Sequence, residues 1–219
     1  MAGRILACGG AGDFTAFLLA LSGRPRPRFC YLPTASADDP WHVVGFYERV
    51  LAHDCDPFHV ELFGTPQQPA ERVAAADIVW VGGGNTANML AIWRLHGIDV
   101  ALRSAWDRGA VLAGASAGGN CWFQGNVTDS FGPQLAALPD GLGILGGSFC
   151  PHYDSEELRR PIYRQLVADG ALPSGIACDD FAAALYHGTE LTEIVTLREG
   201  AGAYRVTADG EEPLLARLL

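Results

Sequence analysis

The sequence predicts an α/β fold: a mostly parallel sheet with helices on both faces and extra antiparallel strands near the C-terminus. Three observations carry this. Short apolar runs alternate with helical patterns through the first half of the chain, which is the signature of β-α-β units. Glycine clusters follow those runs directly, as Gly9-Gly10, Gly82-Gly83-Gly84 and Gly114. The last third breaks into strand-like runs separated by tight turns.

The run 4–8 reads as the first strand. With one basic residue, Arg4, and a short apolar run ended by glycines, it does not have the make-up of a signal peptide. Further buried strands are expected at 28–32, 58–62 and 77–81. Helices fit 13–22, 41–52, 69–75, 86–96 and 100–108. A fifth strand at 110–113 precedes Gly114. Beyond it, 142–149 reads as a strand and 155–169 as a helix with Glu156, Glu157, Arg159 and Arg160 on its exposed side. The runs 175–178, 182–186, 193–197 and 203–206 read as strands, with turns at His187-Gly188 and Glu199-Gly200. Hairpins added to the sheet edge are expected there. No repeat or linker divides the chain, so one domain over 1–219 is expected.

The chain has 219 residues, 49% of them hydrophobic and 18% charged, enough for a substantial core. No run of 18 or more apolar residues occurs, which argues against a membrane span. The net charge of −10 argues against nucleic-acid binding. The six cysteines are scattered through apolar segments without a C-x-x-C pair, which suits reduced thiols and a cytoplasmic location. All fifteen basic residues are arginines. The absence of lysine excludes a Schiff base, a Ser-Lys dyad and a P-loop.

The strongest chemical signal is Gly114-Ala115-Ser116-Ala117-Gly118, a G-x-S-x-G motif between a strand-like run and residues that can open a helix. Such an elbow holds its serine in a strained conformation with the hydroxyl exposed, and aims a helix N-terminus at any oxyanion that forms. The bland alternative is a small-residue turn that packs a helix close to a sheet.

A nucleophilic Ser116 needs a base, and without lysine that base is a histidine or a carboxylate. His42, His53 and His96 fall in or at the ends of expected helices, His59 in a strand and His187 in a turn. His152 follows a strand-like run stopped by Pro151, which puts it at a strand end. It shares the edge of Ser116 if its strand runs parallel to the elbow strand. The imidazole then needs a carboxylate to orient it. Asp129 and Asp180 are both candidates, with Asp154 a third, and the residues themselves do not choose between Asp129 and Asp180.

One oxyanion donor is expected from Ala117 N–H. The other is expected from the loop Val81-Gly82-Gly83-Gly84-Asn85-Thr86, with Gly83, Asn85 and Thr86 beside the substrate. The loop is not a G-x-G-x-x-G fingerprint, so a phosphate cradle is disfavoured. Cys150, His152 and Asp154 alternate along one segment but lack a fourth ligand cluster, so no zinc site is expected.

These residues, Val81 to Thr86, Gly114 to Gly118 and Pro151-His152, resemble in order and spacing the peptidase E family. This serine peptidase family also holds the cyanophycinases. The resemblance covers most of the chain, to about Tyr186. It implies a parallel α/β sheet related to class I glutamine amidotransferases, which carry cysteine where this family has serine. It implies exopeptidase activity, with aspartyl dipeptides the best-known substrates, and no metal or organic cofactor. By resemblance Ser116 is the nucleophile, His152 the base, and Gly84 and Ala117 the oxyanion donors. Asp129 falls near the third member of the aspartyl dipeptidases, and Asp180 near the acidic position of the cyanophycinase branch. The segments 122–132 and 150–154 depart from the enzyme specific for N-terminal aspartate, so that specificity is not carried over. An acidic N-terminal residue would need an arginine in the pocket, for which Arg159 and Arg160 are candidates beside their plainer role on a solvated helix face.

The reading is therefore a serine exopeptidase or dipeptidase acting on short peptides. Two rivals are an esterase or amidase acting on a non-peptide acyl group, and a non-catalytic binding protein on the same fold. The sequence does not fix the oligomeric state; a homodimer is a common arrangement for such enzymes.

Overall fold

A computed structural model describes residues 3–219. Met1 and Ala2, with which the reading of the N-terminus begins, lie outside the described residues. Five parallel strands form one side of an eight-stranded sheet, out to its edge: β1 (Arg4–Cys8), β2 (Arg28–Leu32), β3 (Asp56–His59), β4 (Ile78–Val81) and β5 (Val111–Ala115). Their apolar side chains are buried on both faces, as a parallel sheet covered by helices requires. β5 lies between β1 and β4, with Cys8 opposite Ala115 and Val81 opposite Gly114. The C-terminal ends of these three strands therefore meet at one edge.

Two helices, α1 (Thr15–Ser22) and α2 (Pro40–Val50), pack on one face over Leu6, Phe29, Tyr31, Val111 and Ala113. The other face is covered by α3 (Pro69–Ala74), α4 (Thr86–His96) and α5 (Ile98–Asp107), around Ile5, Val79, Trp93 and Leu112. The helix starts have local causes. Asp39 accepts a hydrogen bond from Trp41 N at 2.8 Å with Pro40 in the first turn, and Asn85 accepts one from Asn88 N at 2.8 Å. The third strand is displaced from its expected position at 58–62. Leu62 and Phe63 instead turn their N–H groups to Asp38 Oδ2, at 2.5 and 2.8 Å.

After β5 comes a four-residue helix, α6 (Ala117–Asn120), and then a second sheet that the sequence did not announce. It contains β6 (Phe123–Thr128), β7 (Ala136–Leu138), β8 (Leu145–Cys150) and β9 (Gly175–Cys178), with β6, β8 and β9 parallel. α7 (Arg159–Ala168) packs on it through Tyr163 and Val167. Of the C-terminal hairpins, only β10 (Ala182–His187) with β11 (Glu190–Thr196) extends the first sheet, antiparallel to β1. The strands β12 (Ala203–Thr207) and β13 (Gly210–Leu214) instead join β9 in the second sheet, while β14 (Ala216–Leu218) closes the first sheet beside β11. One buried cluster runs through both sheets, from Leu112 and Val81 through Trp122 and Phe149 to Ile176 and Ala203. No helix among the described residues is long and apolar enough to cross a membrane.

Candidate active site

β5 ends at Ala115 and α6 begins at Ala117, so Ser116 alone makes the turn. Its backbone sits at φ 57° and ψ −116°, outside the regions a side-chain-bearing residue prefers. Among the described residues six non-glycine residues have positive φ, and three of them are Ser116, His152 and Phe181, the residue after Asp180. Strain of this kind persists where the surroundings over-determine it, which is typical of functional sites.

Ser116 N donates to Cys8 O at 3.3 Å, and His152 N donates to the next carbonyl, Gly9 O, at 3.1 Å. The end of β1 thus anchors both residues. β8, the strand before His152, belongs to the second sheet and not to the sheet of the elbow. The expected placement is nonetheless reached, because the segment after Cys150 crosses to β1.

His152 Nδ1 lies 2.8 Å from Asp180 Oδ1. The same oxygen accepts Ala11 N at 3.2 Å. Burial works against charge on Asp180, but hydrogen bonds from Ser155 and His152 outweigh it and hold the carboxyl below its ordinary pKa. An ionised Asp180 only accepts, so the proton of a neutral His152 resides on Nδ1 and Nε2 is left with a free lone pair. Gly10 makes this approach possible: a Cβ there would overlap Asp180 Oδ1 and lie 2.5 Å from His152 Nδ1 and Cε1.

Asp129 is not part of this pair. Its side chain is 56% exposed and lies 3.9 Å from Arg159 Nη2. Of the two carboxylates left open by the sequence, the fold brings Asp180 to His152 and turns Asp129 towards α7. Asp154 does not meet the imidazole either. Its Oδ1 accepts Asp180 N at 2.8 Å, and its Oδ2 accepts Arg198 Nη2 at 2.6 Å.

The glycine loop faces the elbow. A Cβ on Gly83 would stand 3.3 Å from Ser116 Cβ and 3.8 Å from its Oγ, which makes Gly83 the near neighbour. Gly84 has φ +136° and backs onto the Ala35 carbonyl, where a side chain would not fit. The N–H groups of Gly83, Gly84 and Ala117 have no partner among the described residues. The side chains of Asn85 and Thr86, expected beside substrate, are engaged within the protein. Asn85 caps α4 and donates Nδ2 to Ser130 O at 3.0 Å, and Thr86 is 1% exposed.

One further residue escaped the sequence reading, and a second, Arg159, lies elsewhere than its expected solvated helix face. Asn120, on the elbow helix, is buried and donates Nδ2 to Thr86 Oγ1 at 3.4 Å and to Val127 O at 3.3 Å, tying the glycine-loop helix to β6. Arg159, expected on a solvated helix face, is 3% exposed. Its guanidinium is held by Glu156 at 2.6 Å and Val127 O at 3.3 Å, which compensates its burial. Arg160 does remain half-exposed, paired with Glu211 and lying over the rings of Tyr153 and Tyr204.

Fold and site together are of the α/β serine-hydrolase type: a strained serine between a parallel strand and a helix, with a His–Asp pair at the same edge. The comparisons narrow this. The profile of peptidase family S51 matches residues 6–194. The chain is 45% identical over 212 residues to the uncharacterized peptidase YgaJ of Bacillus subtilis (strain 168), covering 93% of this chain and 91% of that protein. It is 30% identical over 126 residues to peptidase E of Citrobacter koseri (strain ATCC BAA-895 / CDC 4225-83 / SGSC4696), covering 56% and 54%. The crystal structure of a peptidase from an acI-B1 actinobacterium has a similar fold, with a TM-score of 0.74 at 18% identity over 99% of this chain and 95% of that one. The chain belongs to peptidase family S51, a family of serine peptidases.

Proposed function

We propose that this chain is a serine exopeptidase acting on short peptides, as one catalytic domain over 1–219. In this reading His152 Nε2 takes the proton of Ser116 Oγ as the oxygen attacks the peptide carbonyl. Ala117 N–H and a glycine N–H of the 83–84 pair hold the oxyanion. The protonated imidazole, stabilised by Asp180, returns its proton to the leaving amine. Water, activated by the same histidine, then releases the acyl group. The observation that carries the reading is the His152–Asp180 contact of 2.8 Å at the strand edge where Ser116 is strained. Ser116 Oγ makes no hydrogen bond to His152 among the described residues, and such bonds commonly tighten only when substrate binds.

The test is hydrolysis of Asp-X, Glu-X, Gly-X and Ala-X dipeptides by wild type and Ser116→Ala. Cleavage by wild type and none by the variant supports the reading. Cleavage confined to Asp-X would add aspartyl dipeptidase specificity. Equal turnover by both proteins would refute it.

A further inference from the structure

Asp180 is the second residue after β9, in the turn that leads to β10, and nothing in its own segment dictates where its carboxylate points. Its backbone is clamped from two sides. Phe181 N donates to Ala11 O at 2.8 Å, and Asp180 N donates to Asp154 Oδ1 at 2.8 Å. Asp154 is itself held by Arg198 Nη2 at 2.6 Å, and the Arg198 guanidinium carbon lies 4.6 Å from the centre of the Phe181 ring. The arginine thus touches the segment twice, through Asp154 before Asp180 and through Phe181 after it. Phe181 has φ 68°, a conformation unfavourable for a bulky residue that needs such support. The other charged group beside this clamp is Asp179, buried with its Oδ2 accepting Gly202 N at 2.9 Å.

We propose that Asp154 and Arg198 are positioning residues that fix the Asp180 backbone and so aim its carboxylate at His152 Nδ1. Neither touches the imidazole. Their contribution is geometric: they remove the freedom of the Asp180-Phe181 turn, so that the short contact is preorganised. The inference rests on the peptidase reading only for its kinetic consequence, because the geometry of the pair exists without substrate.

The experiment compares wild type, Asp154→Ala, Asp154→Asn and Arg198→Gln by kcat, KM, melting temperature and the low-field proton resonance of His152 Nδ1–H. Asp154→Ala should lower kcat about ten- to hundredfold, as a misplaced group does, with KM little changed and the resonance broadened or lost. Asp154→Asn keeps an oxygen that accepts Asp180 N–H and should recover part of both. Arg198→Gln should show a smaller loss of both, and it carries the test if Asp154→Ala does not fold. Wild-type kcat and resonance in Asp154→Ala or in Arg198→Gln would overturn the proposal. So would a fall in melting temperature with the resonance intact, or equal damage in Asp154→Ala and Asp154→Asn. The resonance is read without substrate, so it stands apart from failure of the peptidase reading, which would appear as undiminished turnover in Ser116→Ala.

Discussion

Ser116 and His152 hang their backbone N–H groups on consecutive carbonyls, those of Cys8 and Gly9, at 3.3 and 3.1 Å. Two residues 36 positions apart in the chain are thereby referenced to two adjacent peptide units at the end of β1. A shift of that strand end would move both together. This shared anchor explains how a histidine carried by the second sheet meets a serine carried by the first.

The two aspartates left open by the sequence should behave differently. Asp180→Asn replaces a carboxylate that can only accept by an amide whose NH2 can face the imidazole, so the His152 tautomer is no longer fixed, and kcat should fall about 10⁴-fold, the size seen when a triad carboxylate becomes an amide. Asp129→Asn should leave kcat/KM within about threefold, because Asp129 is exposed, does not meet His152 and approaches Arg159 only to 3.9 Å. Steady-state kinetics on a cleaved dipeptide checks both, and the opposite ranking would give Asp129 the role.

Gly10→Ala should cost more activity than stability. The added methyl would force apart His152 and Asp180, and a displacement near 1 Å costs about a hundredfold in rate. Measuring kcat beside the melting temperature separates the effects; a fully active Gly10→Ala would show that the close approach is dispensable.

The depressed pKa of Asp180 has a stability consequence whose sign is determined. A carboxyl whose pKa is lower when folded than unfolded stabilises the fold above its unfolded value, near 3.9, and loses that contribution as pH falls through the folded value. The melting-temperature advantage of wild type over Asp180→Asn should therefore shrink as pH falls below about 4. Thermal melts across pH 2–5 check this, and an advantage that grows below about pH 4 would contradict it.

Trp93 Nε1 donates to Thr34 Oγ1 at 3.0 Å, with both residues buried. Thr34→Val keeps the shape but orphans the indole N–H, so a loss of about 1–3 kcal/mol is expected in urea unfolding. Ala35, next in the chain, accepts Asn85 N at 2.8 Å, so the glycine loop should loosen as well and kcat should fall. An unchanged unfolding midpoint would show that the bond contributes nothing.

The parts of this molecule legible in the sequence are those with local causes. The elbow shows because an apolar run meets small residues at Ser116, and His152 shows because Pro151 stops its strand. The second sheet was not legible: Phe123–Thr128 contains a glycine and the buried Asn126, and its parallel partner, Leu145–Cys150, is separated from it by β7 and a loop. Asp180 could not be separated from Asp129 because the decision lies in contacts such as Ala11 N to Asp180, which spans 169 positions. Arg159 reads as a surface residue by type, and its burial follows from a carbonyl of Val127 that only the fold supplies.

The central claim is that Ser116 is a nucleophile activated by the His152–Asp180 pair. Labelling with a fluorophosphonate probe, followed by peptide mapping, tests it most directly. The account predicts a single adduct on Ser116 in wild type, formed much more slowly in His152→Ala and Asp180→Asn and absent in Ser116→Ala. Peptide-cleaving protein that stays unlabelled at Ser116, or that labels equally fast without His152, would contradict it.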